Sequence, residues 1–505
     1  MKKEYLYAIL ISIAVLLLAN TSYIVPNLIK KDGLIFLSRG RINAEDTYTY
    51  LSTIEQVRQG RILTENQYTS EPQRPLLLRP SYILIGNAAR SFNISSLNAY
   101  NLFRILFSAL FCLVLYKFLS LFFESSTKRL TAYSLILSAG GLGFLLNTIN
   151  TSWVTNSIDL WVPEGFTFLS FAEAPHFILS VTLLILGFYF FIKYLKSGNT
   201  PPLVGTFFVF FALSFEHPFD VIVAVPVLFL TALWSKKSFF ESLAIAFFSG
   251  IGLVYQFVAT KTNPILALWN AQNTLYSPPP TDYVLGYGLL LVLAVIGFNT
   301  ILDKKDVQSK LILLWVGVTA ILLYIPVNFQ RRFIEGVQIP LAIAGTFAIS
   351  KKSLLVIVAT IVFMASGSMV KVAWDFQKFS QSPDYYYIDS RNLDGIKWLG
   401  TKTTFDDVIL SNRYFGNLIP GLIGRKVYLG HQIQTIDFPG KIQKTNEFLL
   451  EIDNKKALAF LKENHITYVF LGGDDSITQY GFAPDKKPYL TKIYDKDGVT
   501  IYKVK

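Results

Sequence analysis

Apolar runs about as long as a lipid bilayer is thick recur along the first three-quarters of this 505-residue chain. They fall at about 5–26, 102–123, 130–149, 176–195, 201–216, 218–234, 239–259, 284–302, 310–327, 333–350 and 353–372. A helix rises about 1.5 Å per residue, so roughly 20 apolar residues cover a hydrocarbon core of about 30 Å. Inside lipid the backbone must satisfy its own hydrogen bonds, which leaves helices or closed barrels. Runs of this length therefore predict an α-helical polytopic membrane protein with about eleven transmembrane helices. Composition agrees, with 52% hydrophobic and only 16% charged residues, against about 25% charged in soluble domains. An ordinary soluble enzyme is excluded. The 42 Phe and 27 Tyr suit lipid-facing and interfacial positions.

The connectors divide into two kinds. Alternating sides from an inside N-terminus puts Lys2/Lys3, Lys128/Arg129, Lys193/Lys196, Lys236/Lys237, Lys304/Lys305/Lys310 and Lys351/Lys352 on one face. These loops are short and basic, the positive-inside pattern. They account for the net charge of +12 by topology rather than by nucleic-acid binding. The run after Met1-Lys2-Lys3 lacks a small-residue cleavage site and reads as an uncleaved first span. An odd number of spans places the C-terminus outside. The single cysteine, Cys112, lies in an apolar run, so a disulfide within the chain and a CxxC metal site are both excluded.

The opposite loops are longer and hold most of the ionisable residues. The first, about 27–101, is too long for a simple connector. Its Ile54, Val57, Ile62 and Leu63 among polar residues predict amphipathic helices lying along the membrane surface. The fourth ends in Pro278-Pro279-Pro280, a stiff extended segment. From about 373 the composition turns polar. A helix at 392–399, strands at 408–411, 425–429 and 466–471, and helices near 441–451 and 455–464 are expected. A hairpin over 489–504, turning at Lys496-Asp497-Gly498, completes a small α/β domain. The expected domains are therefore 1–372 in the membrane, with the large outer loop 27–101, and 373–505 as a soluble extracytoplasmic domain.

Several outer-face residues are suited to chemistry. Glu45 and Asp46 form an acidic pair early in the first loop. A carboxylate there can take a proton from a hydroxyl nucleophile or hold a divalent cation; helix capping is the plainer role. Glu164 and the pair Glu173/His176 flank the outer end of the fourth span, where Glu173 and His176 suit an acid/base or metal pair, or a helix start at Pro175. Glu216, His217 and Asp220 stand where two apolar runs meet. Ionisable groups at membrane depth are costly and often functional, unless the tip of this hairpin reaches water. Arg331 and Arg332 break the positive-inside trend; their planar forks suit a phosphate or pyrophosphate, with lipid headgroups as the plainer ligand. Arg74, Arg79 and Arg104 are weaker candidates of the same kind, and His431 is a candidate ligand in a C-terminal domain better suited to acceptor binding or a lid than to catalysis.

The stretch Glu45-Asp46-Thr47-Tyr48-Thr49-Tyr50, the later Gly60, and Pro80-Ser81-Tyr82-Ile83-Leu84-Ile85-Gly86 resemble the first loop of bacterial members of the GT-C superfamily. The order of one span, a large acidic outer loop, many spans and an outer C-terminal domain is similar too. These are integral-membrane glycosyltransferases that use polyprenyl-phosphate-linked sugars. The resemblance covers about 1–372 and implies transfer of a sugar to a protein, lipid or glycan acceptor at the outer face of the membrane; the compact basic loops and the lack of eukaryotic sorting signals point to a bacterial or archaeal plasma membrane. It implies that Asp46 first, and Glu45 second, is the base toward the acceptor or a metal ligand. No cofactor is required by the motif, and a divalent metal is the one the acids could hold. Arg331/Arg332 would meet the donor phosphate. Rival readings are a flippase for lipid-linked glycan intermediates, which would place its sites in paired repeats near the midplane, and a non-catalytic membrane scaffold.

Overall fold

The structure, a computed structural model, describes residues 3–40, 42–77, 79–147, 157–381, 383–473 and 482–505. Among the described residues, eight helices are long and apolar enough to cross a membrane: Lys3–Leu28, Ser96–Leu119, Pro175–Ser197, Pro218–Ser235, Phe239–Thr262, Pro280–Leu302, Gln330–Ile349 and Leu354–Phe379. Two further apolar helices, Thr200–Glu216 and Val307–Leu322, are shorter. Phe208, Phe240, Phe247 and Leu355 are 71–79% exposed, as suits side chains that face lipid. The chain has a multi-pass membrane architecture.

One expected span is helical for only part of its length. The run at 130–149 holds a 13-residue helix, Ser126–Ser138, too short to cross by itself. Beyond Ser138 the amides leave the helical pattern. The Gly140 N–H donates to Met364 O (2.9 Å) and the Leu142 N–H to Leu285 O (3.1 Å). The Gly141 and Gly143 N–H groups donate to Asp159 Oδ2 (3.0 and 3.2 Å). Three glycines in four positions make the helix weak here, and neighbouring segments take over its hydrogen bonds. Residues 148–149 lie outside the described residues.

The chain divides into two compact units. The first comprises Met1–Ile24, Asn101–Phe257 and Thr274–Ser380. Aromatic side chains fill its interior: Trp315 is fully buried, with its ring 4.9 Å from that of Phe188, which in turn is 5.9 Å from Phe210. The helices Thr200–Glu216 and Pro218–Ser235 are joined by His217 alone, the C-cap of one and the N-cap of the next. The expected hairpin is there, but Glu216, His217 and Asp220 at its tip are 3%, 1% and 1% exposed. The tip is enclosed by protein and does not reach water.

The second unit comprises Val25–Tyr100, Val258–Asn273 and Gln381–Lys505. Its five-stranded sheet runs in the order Lys426–Val427, Val408–Leu410, Ile466–Leu471, Val499–Val504, Leu490–Lys496. The first three strands are parallel, and the last two join antiparallel. Asp497 (φ 52°) and Gly498 (φ 84°) turn the terminal hairpin, the left-handed pair that a two-residue hairpin loop requires. Helices Phe438–Leu450 and Asn454–Glu463 cover the sheet through Phe448 and Phe460, whose rings stack at 5.2 Å. The helix Arg413–Ile423, absent from the sequence expectations, packs through Phe415 on Phe470 of the strand Ile466–Leu471, with the rings 5.1 Å apart.

The first loop folds with this sheet domain. Strand Leu34–Phe36 pairs antiparallel with Tyr387–Asp389. Helix Asp46–Arg58 is wedged between Arg413–Ile423 and Pro80–Ser91. A Cβ on Gly421 would lie 2.6 Å from the Tyr48 ring, and one on Gly86 would lie 2.5 Å from Val57 Cβ. These glycines let the helices approach closely. Ile54 and Val57 are 0% and 1% exposed, buried against protein, whereas Ile62 and Leu63 just beyond the helix are 61% and 49% exposed.

Candidate functional site

Asp46 is the first residue of helix Asp46–Arg58, and its carboxylate benefits from the free N–H groups and positive dipole end there. Capping is not what the acidic pair does: the N-cap, Glu45, makes no side-chain capping bond. The Glu45 carboxylate instead accepts from Arg413 Nη2 at 2.8 and 3.0 Å. Asp46 Oδ1 lies 2.9 Å from His431 Nε2. The tautomer follows from the other ring nitrogen. His431 Nδ1 accepts from the backbone N–H of Ile433 (3.1 Å) and of Gln434 (3.2 Å), so the ring proton is on Nε2 and is donated to Asp46. The imidazole is thus neutral and held at both ends, while the Asp46 side chain remains 31% exposed and that of His431 only 5%.

Local sequence explains how His431 arrives there. Its loop follows Leu429, and Gly430 meets Gly416 of the helix Arg413–Ile423 so closely that a Cβ on Gly416 would lie 1.9 Å from Leu429 O. Two facing glycines permit that backbone contact. Tyr68 seats the ring edge-on at 6.0 Å and donates from its hydroxyl to Asn417 O (3.1 Å). Nearby, Arg39 is 3% exposed among the rings of Tyr385, Tyr414 and Tyr48, at 4.5, 5.4 and 5.7 Å. Burial pushes the hydroxyls of Tyr48 and Tyr68 far above the ordinary phenol range, with the Arg39 charge opposing it only in part. The tyrosines therefore stay neutral, and the carboxylate of Asp46 is the more exposed partner of the pair it makes with His431.

A second group of ionisable residues lies in the first unit. His217 Nδ1 is 3.1 Å from Asp220 Oδ1 and 2.9 Å from Glu335 Oε2, with all three side chains about 1% exposed. The Glu335 carboxylate also accepts from Ser180 Oγ, one turn along the helix from His176. The His176 and His217 rings are 6.4 Å apart. These are the described residues able to hold a metal ion as a group of three, with ligand atoms within 4.8 Å of one another.

Glu335 follows the short turn Gln330–Ile334, which carries Arg331 and Arg332. The Arg331 guanidinium stands 4.5 Å over Trp161 and that of Arg332 4.7 Å over Phe219. The backbone of Leu275, close to the expected stiff Pro278-Pro279-Pro280, grips this turn: its N–H donates to Asn328 O (2.6 Å) and its carbonyl accepts from Arg331 N (3.1 Å). Glu164 sits in the turn Pro163–Gly165, is 6% exposed, and accepts on its carbonyl from Gly336 N at 3.2 Å. Glu164, Ser170, Gly336 and Gln338 line a narrow gap too tight to admit a water molecule.

The remaining sequence candidates fall into place around these groups. Glu173 precedes the helix Pro175–Ser197, which starts with Pro in its first turn, and both Glu173 and His176 are buried. Arg104 is a structural pin: it is 1% exposed, donates to Asn20 Oδ1 and Phe171 O, and stands 3.9 Å over Tyr23. Arg79 adopts a positive φ of 47° beside Tyr50 and Tyr82. Sequence reading overlooked Arg39 and Glu335. An acid three residues beyond an arginine pair, at the start of an apolar run, was a usable signal for Glu335; Arg39 had none.

No protein-family profile matches this chain, and neither does any curated protein. Solved structures do. ArnT from Cupriavidus metallidurans bound to undecaprenyl phosphate aligns over 98% of this chain and 97% of its own, at TM-score 0.54 and 9% identity. The oligosaccharyltransferase AglB from Archaeoglobus fulgidus, in complex with an inhibitory peptide and a dolichol-phosphate, aligns over 99% of this chain and 74% of its own, at TM-score 0.51 and 11% identity. The same archaeal enzyme tethered to an acceptor peptide gives TM-score 0.53 at 10% identity, over 92% of this chain and 69% of its own. At such identities the likeness is one of fold. This chain shares the membrane fold of these structures, with a C-terminal α/β region.

Proposed function

We propose that this GT-C-fold chain is a membrane glycosyltransferase that moves a sugar from a polyprenyl-phosphate-linked donor to an acceptor hydroxyl at the outer face of the plasma membrane. The observation that carries the reading is the Asp46–His431 contact: a half-open carboxylate at a helix N-terminus, oriented by a neutral imidazole. The solved relatives in fold, bound to undecaprenyl phosphate and to dolichol-phosphate, support a lipid-phosphate donor.

In this mechanism Asp46 Oδ1 is held by His431, leaving Oδ2 to take the acceptor proton as the nucleophile attacks the anomeric carbon. The bond from that carbon to the phosphate oxygen breaks, polyprenyl phosphate leaves, and the anomeric centre inverts. Arg331 and Arg332 hold the donor phosphate, whose charge grows as the bond breaks; such stabilisation is often the largest catalytic contribution. Glu45 keeps Arg413 beside the acidic pair. Glu164, Glu173, His176, Glu216 and His217 serve the donor side as supporting residues. The basic connectors support a cytoplasmic N-terminus and an outer domain at 373–505.

The test is mass spectrometry of lipid-linked sugars and surface glycans in the native host, comparing wild type with Asp46→Asn at matched expression. Accumulation of a polyprenyl-phosphate sugar with loss of one glycan residue is expected. Matching profiles, in a host where deletion of the protein changes them, would remove Asp46 as the base.

A further inference from the structure

The buried group His217, Asp220 and Glu335 sets two acids against a single imidazole. Two carboxylates lie out of water at 1% exposure, and the ion pairs described for both are with His217 alone. Isolated buried charge costs several kcal/mol per group unless it is paired and hydrogen-bonded. A protonated His217 would supply one positive charge against two negative. The contacts also lack hydrogen-bond geometry. Both ring nitrogens of His217, Asp220 Oδ2 and Glu335 Oε2 are buried without a hydrogen-bond partner, although Nδ1 approaches two carboxylate oxygens within 3.1 Å. Donor atoms that converge on one another without donating are disposed as ligands around a common point.

We infer that His217, Asp220 and Glu335 form a binding site for one divalent transition-metal cation of the zinc class. One imidazole with two carboxylates is a borderline donor set, suited to zinc or manganese rather than to calcium or magnesium. Bonds of about 2.0–2.2 Å in a tetrahedron separate the ligand atoms by about 3.3 Å. The observed 2.9 and 3.1 Å need to open by only a few tenths of an ångström. The cation cancels both negative charges, and three protein ligands leave a position for water or an anionic oxygen. Ser180, which donates to the carboxylate of Glu335, is the outer support that orients a ligand.

The site also has a mechanical consequence. Asp220 and His217 belong to the junction of two helices, and Glu335 belongs to the segment after Gln330–Ile334. A cation held by all three ties that junction to the turn bearing Arg331 and Arg332, whose Arg332 already stacks on Phe219 of the junction. It thereby fixes the height and direction of the paired arginines. Nothing in the binding itself depends on which donor or acceptor the protein uses, so the two readings fail separately.

The experiment is metal analysis of the full chain purified in detergent or nanodiscs, incubated with ZnCl2, passed through a desalting column and read by inductively coupled plasma mass spectrometry. Wild type should retain about one zinc per chain. Asp220→Asn and Glu335→Gln should lower retention at least tenfold, while Asp46→Asn leaves it unchanged. Ser180→Ala, which spares all three ligands, should weaken zinc affinity about 10-fold to 100-fold and serves if the ligand variants do not fold. Wild type that holds less than about a tenth of a zinc, with manganese giving the same result, overturns the site in favour of a buried imidazolium between two acids. Retention unaffected by Asp220→Asn, or lost with Asp46→Asn, overturns it in favour of binding elsewhere.

Discussion

Two carboxylate sites in this chain meet a histidine at the same 2.9 Å, and everything around that contact differs. At Asp46 the imidazole has its second nitrogen occupied by two backbone N–H groups, so its protonation is settled and it donates cleanly to one oxygen. At Glu335 the imidazole has no settled donor, both its nitrogens are buried, and a second acid crowds the same nitrogen. Asp46 keeps nearly a third of its side chain exposed; Asp220 and Glu335 keep about 1%. The same residue types therefore sit in opposite surroundings: on the proposed reading the half-open carboxylate exchanges a proton and the enclosed pair holds a charge.

That contrast predicts where mutations strike. The largest effect belongs to Asp46→Asn: sugar transfer in a reconstituted assay falls by about 10²–10⁴-fold, the range for a lost general base, while the unfolding midpoint barely moves. A large loss of stability instead would make Asp46 a structural residue and break the comparison. Next comes His217→Ala, which leaves Asp220 and Glu335 buried without the one partner they share and costs about 3–5 kcal/mol of stability, read by thermal unfolding in detergent. Its effect on transfer at temperatures where the protein stays folded should be smaller than that of Asp46→Asn. His431→Ala comes third. It removes the donor that orients Asp46, lowering kcat about tenfold with little change in KM for the acceptor, and His431→Gln, which can still donate, recovers part of the loss. A change confined to KM would place His431 in acceptor binding. The smallest effect is at Arg413→Ala. Its pair with Glu45 is exposed, at 46% and 27% of the two side chains, and exposed pairs contribute less than about 1 kcal/mol. Stability within that limit is expected, and a larger loss would show the acidic pair to be one coupled unit.

Much of the membrane architecture was legible because lipid imposes a simple rule on sequence: apolar side chains must run for a bilayer's thickness, and all eleven runs contain helix. The exception at 130–149 broke where glycines let other segments claim the backbone. The C-terminal strands and most helices were legible from alternation and turn residues, including Asp497-Gly498. The helix Arg413–Ile423 was hidden because its apolar face is interrupted by Gly416, Pro420 and Gly421, which read as breakers until their close contacts are seen. For the candidate sites, the sequence singled out Asp46, His217 and the arginine pair by the rarity of ionisable groups beside apolar runs. It could not join Asp46 to His431, 385 residues away, or His217 to Glu335.

What the sequence determined by itself is therefore whatever depends on short-range periodicity: the membrane-helix pattern, the basic connectors and the strands of the C-terminal sheet. The tertiary structure alone decided partners and exposure. It buried Ile54 and Val57 of the first loop against protein, enclosed the tip of the helical hairpin, and chose which carboxylate stays open to water. The physical reason is that a side chain's charge state and role follow from what surrounds it in space, and those neighbours come from segments that no local pattern relates.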